Sequence, residues 1–110
     1  MRYKHVFAIC AYKDSPYLEQ CIRSLKAQTV PSHIIICTST PSSYIDRLAW
    51  KYGLQVYVRQ GESNIKDDWN FAYSMAEGEL VTIAHQDDMY HRDYSAGLLA
   101  AHKRYPDMTV

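Results

Sequence analysis

Two aspartates stand side by side, Asp87-Asp88, directly behind an apolar run, LVTIA (Leu80–Ala84), and a His-Gln pair. Neighbouring carboxylates repel, and desolvating either is costly unless positive charge compensates it. Three compensators are open: a metal ion, a helix end, or water. Hard divalent cations such as Mg2+ or Mn2+ take oxygen ligands and often use one or two carboxylates, leaving the rest of the shell to phosphates and water. Adjacent residues of an extended stretch point opposite ways. One carboxylate could therefore ligate the ion while the other accepts a hydrogen bond from a ligand hydroxyl or a bound water. The bland alternative is a solvated turn ahead of the next helix, its charge favoured by that helix's N-terminus. A zinc site built from His85, Asp87 or Asp88, and His91 is a further alternative, although one strand-to-helix loop rarely supplies a closed tetrahedron.

Whatever the pair does, regular elements must hold it. HVFAICAY (His5–Tyr12) is a nearly continuous apolar run, the pattern of a strand buried on both faces. KDSP follows, with Ser15 placed as an N-cap and Pro16 at the first helical position. Leu18, Cys21, Ile22 and Leu25 recur at i, i+3, i+4 and i+7, so a helix is expected up to about Val30. HIIIC (His33–Cys37) reads as a second buried strand. STPSS restarts a helix with Ile45, Leu48, Ala49 and Tyr52 inward and Gly53 as its stop. LQVYV (Leu54–Val58) reads as a third strand. After the polar loop RQGESN, a helix from about Ile65 to Ala76 carries Ile65, Trp69, Ala72 and Ala76 on one face. ELVTIA (Glu79–Ala84) is the fourth strand, and a last helix carries Tyr94, Leu98, Ala101 and Tyr105 up to Pro106.

The order β-α-β-α-β-α-β-α predicts an α/β fold: a mostly parallel, doubly wound sheet with helices on both faces. Such sheets bind ligands outside the carboxyl ends of their strands. The loops KDS, TSTPSS, RQGESN and HQDDMY then share one rim, and the acidic pair sits where a ligand is expected. The final residues, MTV, look like the start of a fifth strand, which suggests a truncated piece of a longer chain.

Composition narrows the class. A chain of 110 residues is one domain, and twelve basic against twelve acidic residues give no net charge. Without a basic stripe there is no nucleic-acid footprint. No apolar run approaches the roughly 20 residues of a membrane span, and the apolar stretch of MRYKHVFAIC is too short for a signal peptide. Cys10, Cys21 and Cys37 lack metal-ligand spacing and read as buried, reduced thiols of a cytoplasmic protein. The ten tyrosines read chiefly as amphipathic residues at the core's edge, although several follow strand-like segments where a ligand could stack.

At this point the residues carry a likeness. Over essentially all of residues 1–110 the chain resembles the nucleotide-binding portion of a family 2 glycosyltransferase of the GT-A fold. The turn AYKDSPY, the helix end AQTVP (Ala27–Pro31), the segment SNIKDDWN (Ser63–Asn70) with its asparagine Asn70, and AEGEL (Ala76–Leu80) stand in the family's order. The family's acidic DxD motif falls on HQDD. Four places depart from the pattern. Where the family usually has aspartates after its second strand, one of them gripping uracil, this chain has Cys37-Thr38-Ser39-Thr40. The first aspartate of the acidic motif is His85. The family's turn asparagine is Lys13, and Asn64 stands for its loop glycine, which Asn replaces more easily than most residues in a left-handed conformation.

The resemblance implies transfer of a sugar, with inversion, from a nucleotide diphosphate sugar to an acceptor glycan or lipid-linked glycan. It implies a nucleoside near Ala11, Tyr12 and Thr38, and a divalent cation, Mn2+ or Mg2+, held by Asp87 and Asp88 against the diphosphate. Lys66 could add positive charge to the phosphates, or simply be solvated; Asp67 and Asp68 read as first-turn residues favoured by the helix dipole. An inverting transfer needs a general base, which the family carries in its second half, and no residue here is assigned to it. The implied setting is cytoplasmic, or the inner face of a membrane through a parent protein. Two other classes stay open: a signalling module of the same βα order, although Val58-Arg59-Gln60 supplies no acid after the third strand, and a degenerate transferase kept for interaction.

Overall fold

The computed structural model describes residues 3–104. Four strands alternate with four helices: β1 (Tyr3–Ala11), α1 (Leu18–Lys26), β2 (His33–Thr38), α2 (Ser43–Tyr52), β3 (Gln55–Val58), α3 (Ile65–Met75), β4 (Gly78–His85) and α4 (Tyr94–Arg104). The strands form one sheet in the order β3-β2-β1-β4, and every pairing is parallel. The expected α/β architecture is therefore the observed one. Tyr105, Pro106 and the MTV segment expected to begin a fifth strand lie outside the described residues.

Alternation along the strands explains the unbroken apolar runs Val6–Ala11 of β1 and Ile34–Cys37 of β2. Phe7, Ile9, Ala11, Ile34 and Ile36 face α1 and α2, against Leu18, Cys21, Ile22, Leu25, Ile45, Leu48 and Ala49. Val6, Ala8, Ile35 and Cys37 face the opposite way, against Ala72, with Phe71 and Met75 at the edge. Both faces are covered, so neither set can be polar. The chain steps one way from β1 to β3 and then reverses to reach β4. Right-handed crossovers then require α3 to change faces, as it does. The reversal leaves a switch point between the carboxyl ends of β1 and β4.

Element ends follow local chemistry. Ser42 caps α2 by accepting a bond from the Ile45 amide (3.2 Å), and Gly53 ends it at φ 67°. Asn64 caps α3, accepting from the Asp67 amide at 2.8 Å. The start of α1 departs from expectation: Tyr17, not Ser15, is its N-cap residue, without a side-chain cap bond. Ser15 is otherwise engaged, accepting from the Tyr17 amide (3.2 Å) and donating to Asp87 (3.1 Å). The helix also ends at Lys26 rather than near Val30.

Candidate functional site

The switch point holds a cleft of about 370 Å3, lined from three sides. Strand ends contribute Cys10, Ala11, Cys37 and His85, the following turns add Tyr12, Gln86 and Asp87, and the entry to α3 adds Ser63, Asn64, Ile65, Asp68 and Trp69. Brought together here are Ala11, Tyr12 and Asp87, three of the residues expected at a nucleotide site. A larger cavity of about 630 Å3 lies at the opposite end of the sheet, among the starts of β2 and β3, and includes none of them.

Gln86 carries the β1–β4 ladder beyond the last strand pair, Cys10 and His85. Its side-chain oxygen accepts from the Tyr12 amide (2.9 Å), and its amide nitrogen donates to the Tyr12 carbonyl (3.0 Å). This double bond of an amide to a backbone fixes the Tyr12 turn against the acidic loop. Lys13 then adopts φ 55°, with its amide donating to the Thr40 hydroxyl (2.7 Å) and its ammonium over the Tyr12 ring. A positive φ at a residue other than Gly is uncommon, and here the flanking bonds hold it.

The two carboxylates that line the cleft differ in their compensation. Asp68 accepts from Arg59 Nε (2.9 Å) and Ser63 (2.8 Å). Burial raises its pKa, but the bonds from Ser63 and Arg59, together with the Arg59 charge, outweigh that and hold it below the usual value. Arg59 also donates to the carbonyls of Gln60 (3.1 Å) and Glu62, so one guanidinium folds the whole β3–α3 loop. Asp87, by contrast, is exposed and among the described residues meets a hydroxyl, that of Ser15, and no basic side chain. Asp88 is exposed beside it, its amide closing a turn onto the His85 carbonyl (3.0 Å). Both charges reach Cys21, whose thiol is pushed up to about 12 by burial first and then by Asp88 and Asp87. The wall of the cleft contains no Lys or Arg among the described residues.

Several expectations change. Thr38 does not line the cleft: it is 3% exposed, and its hydroxyl accepts from the Thr40 amide (2.9 Å), which shapes the β2 exit. Lys66 is exposed on the first turn of α3 and is likewise outside the cleft wall. Ile65 and Trp69 are not core residues; they are 73% and 42% exposed, and Trp69 stands against His85 with ring centroids 5.2 Å apart. Asp68 does more than favour a helix dipole, since it anchors the loop. The zinc alternative fails on geometry: no group of three or more His, Cys, Asp or Glu side chains converges among the described residues. His91 is turned to its own loop, where Nδ1 accepts from the Asp93 amide (3.1 Å). A helix end ahead of the pair also fails, because α4 begins only at Tyr94 and its first turn carries no acid.

The loop behind the acidic pair is pinned to α1. Gln28 is buried, donates to the carbonyls of Ser24 (3.1 Å) and His91 (2.8 Å), and accepts from the Ser95 amide (2.9 Å). The Thr29 amide donates to the Arg92 carbonyl (2.8 Å) and its hydroxyl to Asp93 (2.8 Å). Ser24 accepts from the Tyr90 amide (3.0 Å). The Gln-Thr pair quoted above as a helix end is thus a docking point for the segment that follows Asp88.

Comparison with known proteins agrees with this layout. The family model described as Glycosyl transferase family 2 matches residues 6–110. No curated protein sequence matches the chain. Among solved structures, S. aureus TarS 1-349 is 22% identical with a TM-score of 0.79, over 94% of this chain and 33% of that one. The same TarS piece in complex with UDP gives a TM-score of 0.78 at 22% identity, over the same shares of the two chains. Mannosyltransferase PcManGT from Pyrobaculum calidifontis, in complex with GDP-Man and Mn2+, is 17% identical with a TM-score of 0.72, over 90% of this chain and 32% of that one. The chain therefore spans about a third of the length of the structures it matches.

Proposed function

This chain belongs to glycosyl transferase family 2, and from that premise we propose that its β1–β4 cleft binds the nucleotide diphosphate part of a sugar donor with a divalent cation, in an inverting, metal-dependent transfer. The observation that carries the reading is the imbalance of charge. A diphosphate entering this cleft meets the carboxylates of Asp68 and Asp87 and no lysine or arginine of the wall. Arg59 is spent on Asp68 and on the carbonyls of its own loop. Two anionic partners approach each other at such a site only when a cation lies between them.

The residues fit that cation. Asp87 and Asp88 are exposed, and a pair with no third His, Cys, Asp or Glu converging among the described residues suits a hard ion that keeps positions for phosphate and water. Mn2+ or Mg2+ would be held by Asp87 and Asp88. When bound, it would supply charge neutralisation for the leaving diphosphate. The Mn2+ and GDP-Man held by PcManGT, and the UDP held by TarS, support the choice of ligands.

The chain's own residues would bind and orient. Tyr12 and Trp69 present partly exposed rings to the cleft, suited to stacking on a nucleobase. Gln86 holds Tyr12 in place, and Ala11, by its small side chain, lets the nucleoside approach the strand end. Thr38 acts through the β2 turn, and Lys66 lies close enough in sequence to the cleft entrance to meet outer phosphate oxygens. A general base is assigned to no residue of this chain; the acceptor proposed is a glycan or lipid-linked glycan. We place the protein on the cytoplasmic side on the ground of the nucleotide-sugar donor proposed here. No described helix is long and apolar enough to cross a membrane.

Calorimetry tests the reading. UDP or GDP should bind at least tenfold tighter with Mn2+ present than with a chelator. Equal affinity in both conditions would overturn it.

A further inference from the structure

We propose that Cys10 and Cys37 form a dithiol site on the floor of this cleft, one that captures a thiophilic centre such as a trivalent organoarsenical and that excludes nucleotide when filled. The two cysteines are direct partners in the parallel pairing of β1 with β2. Both belong to the sheet face packed by α3, and both line the cleft. Their side chains therefore rise side by side from strands about 4.8 Å apart.

That spacing selects the ligand. Both thiols are free, and their register sets them close enough for one ligand to take both. A soft atom with bonds of about 2.3 Å to each sulfur bridges sulfurs roughly 4 Å apart without moving the backbone. Thiols prefer such soft centres. Burial pushes Cys10 to about 11, with the charge of Asp68 adding to it, and Cys37 to about 12, with Cys10 adding to it. Each thiol alone is thus protonated and slow to react at neutral pH. Two-point capture overcomes this. With phenylarsine oxide, two S–H bonds give two S–As bonds, the As=O oxygen leaves as water with both protons, and no atom changes oxidation state.

The third thiol serves as an internal control. Cys21 lies on the opposite face of the sheet, fully buried, its thiol toward the His85 carbonyl at 3.4 Å. Exclusion of nucleotide rests on the function proposed above, whereas the dithiol itself does not.

The experiment treats the protein with phenylarsine oxide, washes with excess 2-mercaptoethanol, and reads intact mass and free thiols. One adduct is expected, with the thiol count falling from three to one and recovering with 2,3-dimercaptopropanol. C10S and C37S should each lose the wash-resistant adduct, and C21S should keep it. An adduct retained in C10S or C37S, lost in C21S, or never formed overturns the site. Loaded protein should bind Mn2+-UDP at least tenfold more weakly than untreated protein; undiminished binding overturns the exclusion. If untreated protein binds no Mn2+-nucleotide, the donor-site reading fails and takes the exclusion with it, while the mass result still decides the dithiol.

Discussion

Asp68 and Asp87 share a cleft yet have opposite chemistry, because one is compensated by protein and the other is not. Asp87→Asn and Asp88→Asn should each weaken Mn2+-dependent nucleotide binding tenfold or more and leave the melting temperature within a degree or two, since both side chains are exposed; calorimetry and thermal melts separate the effects. Arg59→Met should do the reverse. It leaves a largely buried carboxylate without its cation, which should cost about 2 kcal/mol in a denaturant melt. At this scale the sequence put Ala11, Tyr12 and Asp87 on one rim, where the structure also has them lining one cleft: the rim follows from the apolar periods, and the choice of Ala11 and Tyr12 on it came from the family resemblance. It did not reveal Arg59, Asp68 or Trp69. The apolar stripe Ile65, Trp69, Ala72, Ala76 runs on α3 from the cleft at its first turn to the core further along, and the stripe alone does not tell which end is buried. Gln86 was hidden for another reason: a side-chain amide imitating a strand partner leaves no pattern in spacing.

Between elements, the acidic loop owes its position to α1 more than to its own helix. Gln28 makes three bonds from a buried position, so Gln28→Leu should strand two carbonyls and one amide, costing about 2–4 kcal/mol at roughly 1 kcal/mol or more for each unmet group. Nucleotide affinity should fall in parallel, although Gln28 lies outside the cleft wall. Unchanged affinity in a folded Gln28→Leu protein would show that the loop holds itself. Gly78 tests the start of β4 in the same way. A Cβ there would stand 2.9 Å from both the Leu80 carbonyl oxygen and Val6 Cγ2. Gly78→Ala should therefore lower stability by about 1–3 kcal/mol, measured by urea unfolding. The elements themselves were legible, with ends shifted by a few residues; Ser15 misled because a good capping residue was already engaged by Asp87, a partner 72 positions away.

For the molecule as a whole, the parallel sheet and its two covered faces follow from the largely apolar strands and the alternation with helices, which is why the fold class could be read before any contact was known; the order β3-β2-β1-β4 is visible only in the structure. Among the buried polar groups in the strands, one can change charge near neutral pH. His5 bonds Ser32 and Thr82, each at 2.8 Å, and burial lowers its pKa to about 4 from 6.5. The unfolded chain takes up this proton below pH 6.5 and the folded chain only near 4. Between those values the unfolded state holds more protons, so stability should fall on acidification by about 3 kcal/mol in total. Asp68, with its lowered pKa, adds a further loss below the ordinary carboxylate range. His5→Gln should flatten the slope between pH 6.5 and 4 in urea melts taken across that range.

The cation shared between the acidic pair and a diphosphate is tested most directly by paramagnetic broadening of backbone amide resonances on adding Mn2+ in the presence of UDP or GDP. Expected is selective loss of signal from residues 11–13 and 85–88, absent when Asp87 and Asp88 are both Asn. Broadening centred elsewhere, or equal in the double variant, would contradict it.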